Sequence, residues 1–240
     1  MFRDKLRALA EENLGIEPPE PVPKSVVYIQ TPELAPKPEP RATVRVVNED
    51  TAMVAYELDN PLVLNFASHK RPGGGWLNGS MAQEEALFYR SLYHRTLTHN
   101  LYPLKGPVYS PRVPFVRDRD FCLLKEPRYL ACLAVAALHF RERPAKYTSE
   151  ERREMGAKIR AVFAIAHENK HENLVLGALG CGVFRNPTRE VAELFRECVD
   201  KYAGHFKQIV FAILDAQGDT IRTFRDVFES NDALLSMGPR

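Results

Sequence analysis

Two adjacent glutamates, Glu84 and Glu85, follow Gln83, which a gap of seven residues separates from three consecutive glycines, Gly73, Gly74 and Gly75. A carboxyl group can protonate a leaving oxygen, activate a water or hold a sugar hydroxyl. On a helix, neighbouring positions diverge by about 100°, so the two cannot flank one glycosidic bond as a symmetric carboxylate pair. At most one can serve as the proton donor, and the other takes a neighbouring hydrogen bond or faces solvent. Gln83, Glu84 and Glu85 also fall in the first turn of an expected helix, where acids complement the dipole. That structural role stays open at this point.

Three glycines in a row cost backbone entropy and add no packing. They follow the apolar stretch "VLNF" and precede a helix, so their N–H groups could approach phosphate oxygens beside a helix N-terminus. The stretch is not a Walker A loop, because Ser80 follows Gly79 where a lysine is required. Nor is it G-x-G-x-x-G, since Asn78 stands where the third glycine belongs. A plain connector is the alternative. "LVLGALGCGVFRNPTREV" repeats the logic, running from an apolar strand through Gly177, Gly180 and Gly182 into a helix near Pro187. Two such loops at strand carboxyl ends suit a nucleotide diphosphate. Trp76, the single tryptophan, either caps the site or packs beneath the loop.

Two other patterns are expected to be inert. "HENKH", from His167 to His171, matches H-E-x-x-H, but the strand-like "NLVLGAL" starts too soon for both histidines to share a helical face. Cys181 has no evident base beside it. The basic stretch 141–160 carries acids among its bases and reads as a solvated helix face, with docking of an acidic polymer as the alternative.

The 240 residues can bury a full core, and 45% hydrophobic with 27% charged residues is the balance of a soluble globular protein. A formal net charge of +2 excludes the basic field that drives general nucleic-acid binding. Four cysteines without C-x-x-C spacing suggest buried free thiols in a reducing compartment. With no signal-like start and no long apolar run, the expectation is a cytoplasmic protein off the membrane.

The elements that must position these residues follow from periodicity and breakers. A short helix is expected at 3–14. Eight of the eighteen prolines lie in 18–40, which predicts an extended arm, packed or loose. Strands are expected at 42–48, 61–67, 128–138, 173–179 and 207–214. Helices are expected at 49–60, 82–97, 148–170, 187–203 and 220–230, that at 148 opened by a Thr148 or Ser149 cap. Prolines in 107–118 predict edge or loop structure. Apolar strands alternating with helices predict an α/β fold with a central mixed sheet covered on both faces. Residues 1–40 are expected as helix plus arm and 41–240 as one domain.

"GGGWLNGSMAQEE" resembles the glycine-triplet, six-to-eight-residue gap, Gln-Glu-Glu signature of the microbial-type poly(ADP-ribose) glycohydrolases, which are built on a macrodomain. "VLNFASHKRPGGG", "VYSPRVPFVRD" and "LVLGALGCGVFRNP" are similar to that family's blocks, in order, over about residues 41–230. The resemblance implies a three-layer α/β/α macrodomain and hydrolysis of ribose–ribose O-glycosidic bonds, mainly from the free end, releasing ADP-ribose. It implies Glu85 as acid/base, Glu84 on the ribose hydroxyls beside the scissile bond, and Gln83 helping to place them. Gly73, Gly74 and Gly75 would wrap diphosphate and distal ribose. Gly180, Cys181, Gly182, Val183 and Phe184 would form a second phosphate loop, with Phe184 by the ribose. Asn65 would contact the distal ribose, and Asp50 the adenine amino group. "ASHKR" before the glycines and Arg185 after Phe184 depart from the pattern. No metal or cofactor is implied. The expected partners are poly(ADP-ribose) or ADP-ribosylated proteins, met by a monomer that reverses ADP-ribosylation in a DNA damage response. A hydrolase of mono-ADP-ribose on protein or nucleic acid, and a non-catalytic ADP-ribose reader, remain alternatives.

Overall fold

Alternation of short apolar strands with amphipathic helices is what the computed structural model shows over residues 2–229, the residues it describes. In chain order the elements are α1 (Phe2–Gly15), β1 (Val26–Val27), β2 (Thr43–Val47), α2 (Thr51–Ala55) and β3 (Pro61–Phe66). Then come α3 (Gln83–Arg90), β4 (Val108–Arg117), β5 (Leu123–Val135) and α4 (Ser149–Glu168). The last are β6 (Asn173–Leu176), α5 (Thr188–Tyr202), β7 (Gln208–Ala212) and α6 (Asp219–Glu229). This is the expected mixed-sheet, three-layer α/β class. Ser230, the expected last residue of α6, lies outside the described residues.

The chain divides into two compact units. The first, 2–31 with Thr51–Ala136, holds strands in the order β1-β4-β5-β3. β4 runs antiparallel to β1 and β5, and β5 parallel to β3. α1 buries Leu6, Ala10 and Asn13, one stripe at spacings of four and three. The second unit, Pro32–Asp50 with 137–229, holds the all-parallel order β6-β7-β2. Its core gathers Phe195, Phe211, Phe224 and Phe228, with Phe211 and Phe228 rings 4.5 Å apart.

Two expectations change, and a third, edge or loop structure at 107–118, resolves to its edge alternative. The helix expected at 82–97 stops at Arg90, because Ser91 turns extended and its Oγ donates to the Leu87 carbonyl at 2.6 Å. Short 3-10 turns follow at Tyr93–Arg95 and His99–Leu101. Residues 108–117 form a continuous strand despite Pro111 and Pro114. A register shift between Ser110 and Val113 absorbs Pro111, and two-residue β1 leaves most of β4 as an edge. Cys122 is exposed in the β4–β5 turn, where its N–H donates to Asp118 at 2.9 Å, whereas Cys132, Cys181 and Cys198 are buried.

The arm is packed, not loose. Ser25 Oγ donates to the Thr96 carbonyl at 2.9 Å in the first unit, and Lys37 N–H to the Lys201 carbonyl at 2.9 Å in the second. Among the described residues, no helix is long and apolar enough to cross a membrane.

α4 opens with a full capping box, Thr148 Oγ1 accepting from Glu151 N–H and Glu151 Oε2 from Thr148 N–H. It closes after Glu168 in a Schellman turn. Lys170 N–H donates to His167 and His171 N–H to Ala166, each at 3.0 Å. His171 therefore leaves the helical face of His167. Lys170 sits at φ 61°, a left-handed conformation that glycine adopts without strain. Lys170→Gly should raise the unfolding free energy by about 1 kcal/mol, read by urea denaturation. An unchanged midpoint would show that the turn holds lysine at no cost.

Candidate active site

The penultimate residue of β3 is a buried asparagine, Asn65, and the chain returns through 67–82 to start α3 at Gln83. Gln83 staples this helix start to the strand it came from. Its Oε1 accepts from Phe66 N–H at 2.9 Å and its Nε2 donates to the Leu64 carbonyl at 2.7 Å. The side chain works through the helix it anchors.

Glu84 and Glu85 are 4% and 9% exposed. Burying a carboxylate is costly without donors, and both have them. Glu84 Oε2 accepts from Ser68 N–H at 2.7 Å, and its Oε1 from Gly73 N–H at 3.2 Å and Asn65 Nδ2 at 3.4 Å. Glu85 Oε1 accepts from Gly75 N–H at 2.9 Å and its Oε2 from Ala82 N–H at 3.1 Å. The last bond is half a capping box, since Ala82 has no side-chain oxygen to return it. Burial pushes the Glu84 carboxyl up to about 8, against the anion-favouring bonds from Ser68, Asn65 and Gly73. Burial, with the charge of Glu85 second, pushes the Tyr89 phenol up to about 12.

The glycine triplet lies directly on this pair. Gly74 is at φ 54°, and a Cβ there would stand 2.5 Å from Glu85 Oε1 and 3.3 Å from Glu84 Oε2. Added to Gly73 it would meet Trp76 at 2.5 Å, and added to Gly75 it would collide with Ser80 Oγ. The loop's N–H groups are also engaged, with Gly73 and Gly75 on the glutamates and Gly74 on the Arg71 carbonyl at 3.4 Å. Trp76 packs beneath the loop, buried, with its ring stacked on His94 at 5.6 Å.

In the second unit the loop after β6 is built differently. Asn186, fully buried, donates to the Leu138 and Gly180 carbonyls at 2.7 and 3.0 Å and accepts from Tyr147 Oη at 2.7 Å. Arg143 ties down the Cys181 and Asn186 carbonyls. Gly180, at φ 73°, leaves no room for a side chain beside Ala137 and Asn186. Among the described residues, the N–H groups of Gly182, Val183 and Phe184 take no partner, a run of three donors of the kind that forms an anion nest. Val183 is exposed, and the Phe184 ring lies 5.0 Å from His139. Burial pushes the Cys181 thiol up to about 12, which removes it as a nucleophile at neutral pH. Asp50 is half-buried just before α2, its N–H 2.6 Å from Glu49 Oε1.

Residues 17–118 match the family model of the microbial-type PARG catalytic domain. Poly(ADP-ribose) glycohydrolase (PARG) from Thermomonospora curvata, solved with the inhibitor ADP-HPD, is 30% identical to the chain. That match covers 95% of this chain and 99% of the other, with a TM-score of 0.69. The chain belongs to the microbial-type PARG family. A second structure of T. curvata PARG aligns at TM-score 0.76 with 29% identity, over 94% of this chain and 100% of the other. Deinococcus radiodurans PARG, solved with ADP-ribose, aligns at 0.67 with 28% identity, over 95% and 92%. Among curated proteins none matches.

In this chain the first unit brings together Asn65, Gly73–75, Gln83, Glu84 and Glu85, while Asp50 and Gly180–Phe184 belong to the second. Sequence reading missed two supports. Asn13 of α1, fully buried, donates to the Phe88 and Tyr89 carbonyls at 3.0 and 2.9 Å and so caps the end of α3. Arg117 Nε in turn donates to Asn13 Oδ1 at 3.0 Å. Tyr89 Oη lies 2.6 Å from the Trp76 carbonyl and 2.9 Å from that of Ser80. The signal for Asn13 was present, a lone polar residue on the apolar stripe of Leu6 and Ala10.

Two outcomes follow from this geometry. Gly74→Ala should cost about 2 kcal/mol of stability through strain and displacement of Glu85. Gly182→Ala, whose Cβ would meet nothing within 4 Å, should cost far less. Equal melting shifts for the two would contradict the packing described. For Glu84, the folded chain keeps a proton that the unfolded chain has lost, so its contribution is complete below about pH 4.5 and disappears as pH rises through about 8. Wild-type stability relative to Glu84→Gln should fall across that window, by up to about 1.4 kcal/mol per pH unit. A flat difference in urea midpoints would place the Glu84 proton elsewhere.

Proposed function

We propose that this chain hydrolyses ribose–ribose O-glycosidic bonds in poly(ADP-ribose), releasing ADP-ribose, with Glu85 as the acid/base. The observation that carries this reading is the buried pair of unequal carboxyls at the start of α3. Glu84 is held by three donors against the end of β3. Glu85 is held by two backbone N–H groups, one on each oxygen, leaving lone pairs on both for a reacting group.

In the reaction, protonated Glu85 gives its proton to the 2′-oxygen of the leaving chain as the bond from that oxygen to the ribose C1 breaks. The resulting carboxylate takes a proton from the water whose oxygen bonds to C1 of the oxocarbenium-like sugar. The products are ADP-ribose and a polymer one unit shorter, and Glu85 is again protonated. Glu84, retaining a proton at neutral pH, can both donate to and accept from a ribose hydroxyl. It also spares Glu85 a second full negative charge alongside. Asn65 and Gln83 serve by fixing Glu84 and the helix start, and Gly73, Gly74 and Gly75 by fixing both carboxyls.

The open N–H groups of Gly182, Val183 and Phe184 support a role for Gly180–Phe184 on the phosphates, with Phe184 by a ribose. Asp50 is assigned the adenine amino group. Residues 41–240 are taken as the macrodomain-type catalytic part, with 1–40 as helix and arm. Substrates are poly(ADP-ribose) or ADP-ribosylated proteins, bound by a monomer.

The test is release of free ADP-ribose from poly(ADP-ribosyl)ated protein. Glu85→Gln should release it 10²–10⁴-fold more slowly, roughly the worth of general acid catalysis, while binding ADP-ribose normally by calorimetry. No release by the wild type, with binding intact, would make the chain a reader. Release only from mono-ADP-ribosylated protein would move the activity to that substrate.

A further inference from the structure

The segment from Gly75 to Ala82 is an arc whose two ends are tied to the two oxygens of one carboxyl group. Gly75 N–H donates to Glu85 Oε1 at 2.9 Å, and Ala82 N–H to Glu85 Oε2 at 3.1 Å. The arc is rigid in between. Trp76 is buried under it, Tyr89 Oη reaches the Trp76 and Ser80 carbonyls, and the Arg3 carbonyl of α1 stands 2.5 Å from where a Gly79 Cβ would be. An arc so braced could have been capped with polar residues at no cost. Instead it shows water two large apolar side chains, Leu77 at 49% exposed and Met81 at 45%. Met81 is the residue before Ala82, and Leu77 is two residues after Gly75, so both stand on the arc whose ends hold the Glu85 carboxyl.

We infer that Leu77 and Met81 form the subsite for the adenine of the leaving adenosine, the base on the ribose whose 2′-oxygen departs. The inference rests on Glu85 being the acid. A general acid must sit at the leaving oxygen, so whatever flanks its carboxyl meets the group attached to that oxygen. In this polymer that group is an adenosine, whose base is a flat, weakly hydrated ring. Two exposed aliphatic side chains on a pre-ordered loop would cover one face of it with little entropic cost of ordering. The subsite makes Glu85 work preferentially on bonds whose leaving group carries a base.

The test compares two substrates with the same ADP-ribosyl group. One is the poly(ADP-ribose) dimer, whose leaving group is an adenosine. The other is ADP-ribose linked through its ribose C1 to free ribose, whose leaving group has no base. Wild type, Leu77→Ser, Met81→Ser and the double variant are assayed for kcat/KM on both. Their folds are checked by thermal melting, and Met81→Leu is the conservative control. The ratio of dimer to base-free kcat/KM should fall about tenfold in the double variant and stay at the wild-type value in Met81→Leu. A ratio unchanged in the double variant overturns the subsite, whether the two rates hold or fall together. Failure of the wild type to cleave either substrate would instead overturn the acid/base reading of Glu85, so the two failures are distinguishable.

Discussion

Two carboxyl groups side by side, both out of water, are the constraint that the first unit is arranged to meet. Each brings a desolvation cost, and the charge of Glu85 adds to the cost of ionising Glu84. The chain meets that cost with backbone N–H donors, not with cations. Four of the five donors to Glu84 and Glu85 are backbone amides, from Ser68, Gly73, Gly75 and Ala82. Backbone donors bring no countercharge, so Glu84 stays raised to about 8 in spite of three hydrogen bonds. An arginine in place of any of them would pull that proton off and change the chemistry of the pair.

This requirement explains the glycines more directly than an anion loop does. For two amides only two residues apart to reach two different carboxyls, the backbone must lie almost in contact with the carboxyl oxygens. The 2.5 Å that a Gly74 Cβ would leave to Glu85 Oε1 measures how close it lies. The same closeness demands a firm floor. Trp76 fills it, Tyr89 clamps it, and Asn13 holds the far end of α3 so that the helix start cannot drift. Arg117 locks Asn13 in place, joining α1 to β4 through two buried side chains, and makes its own ion pair to the exposed Glu12 at 3.0 Å. The N-terminal helix thus helps to hold the helix that carries the two carboxyls, although it lies outside the Gly-Gly-Gly to Gln-Glu-Glu block.

Most of the elements could be read from the sequence because their causes are local. α4 begins where Thr148 and Glu151 make a reciprocal cap, and β3, β6 and β7 are short apolar runs between breakers. Where the sequence misled or left alternatives open, the causes lie elsewhere in the chain. α3 ends early because Ser91 competes for a backbone carbonyl and then bridges to Phe115. β4 runs through two prolines because β5 supplies a bulged register that accommodates the first. Within the site, the glutamates, Gln83, Asn65 and the glycines were legible as residue types. Their partners were not, since Asn13 reaches the carbonyls it caps across 75 and 76 positions.

The two glycine-rich loops looked alike in sequence, both carrying the chain from strand to helix through flexible residues. Their N–H groups separate them. In 73–75 all three amides point at protein acceptors, two of them carboxyl oxygens. In 182–184 three successive amides have no acceptor among the described residues, while Asn186 and Arg143 hold the carbonyl groups around them. Glycine count alone therefore says little about anions. An amide can serve a phosphate only if the fold has not already given it an oxygen, so the proposed phosphate role fits the loop whose amides are open, and the loop whose amides are closed is built to hold the two carboxyls.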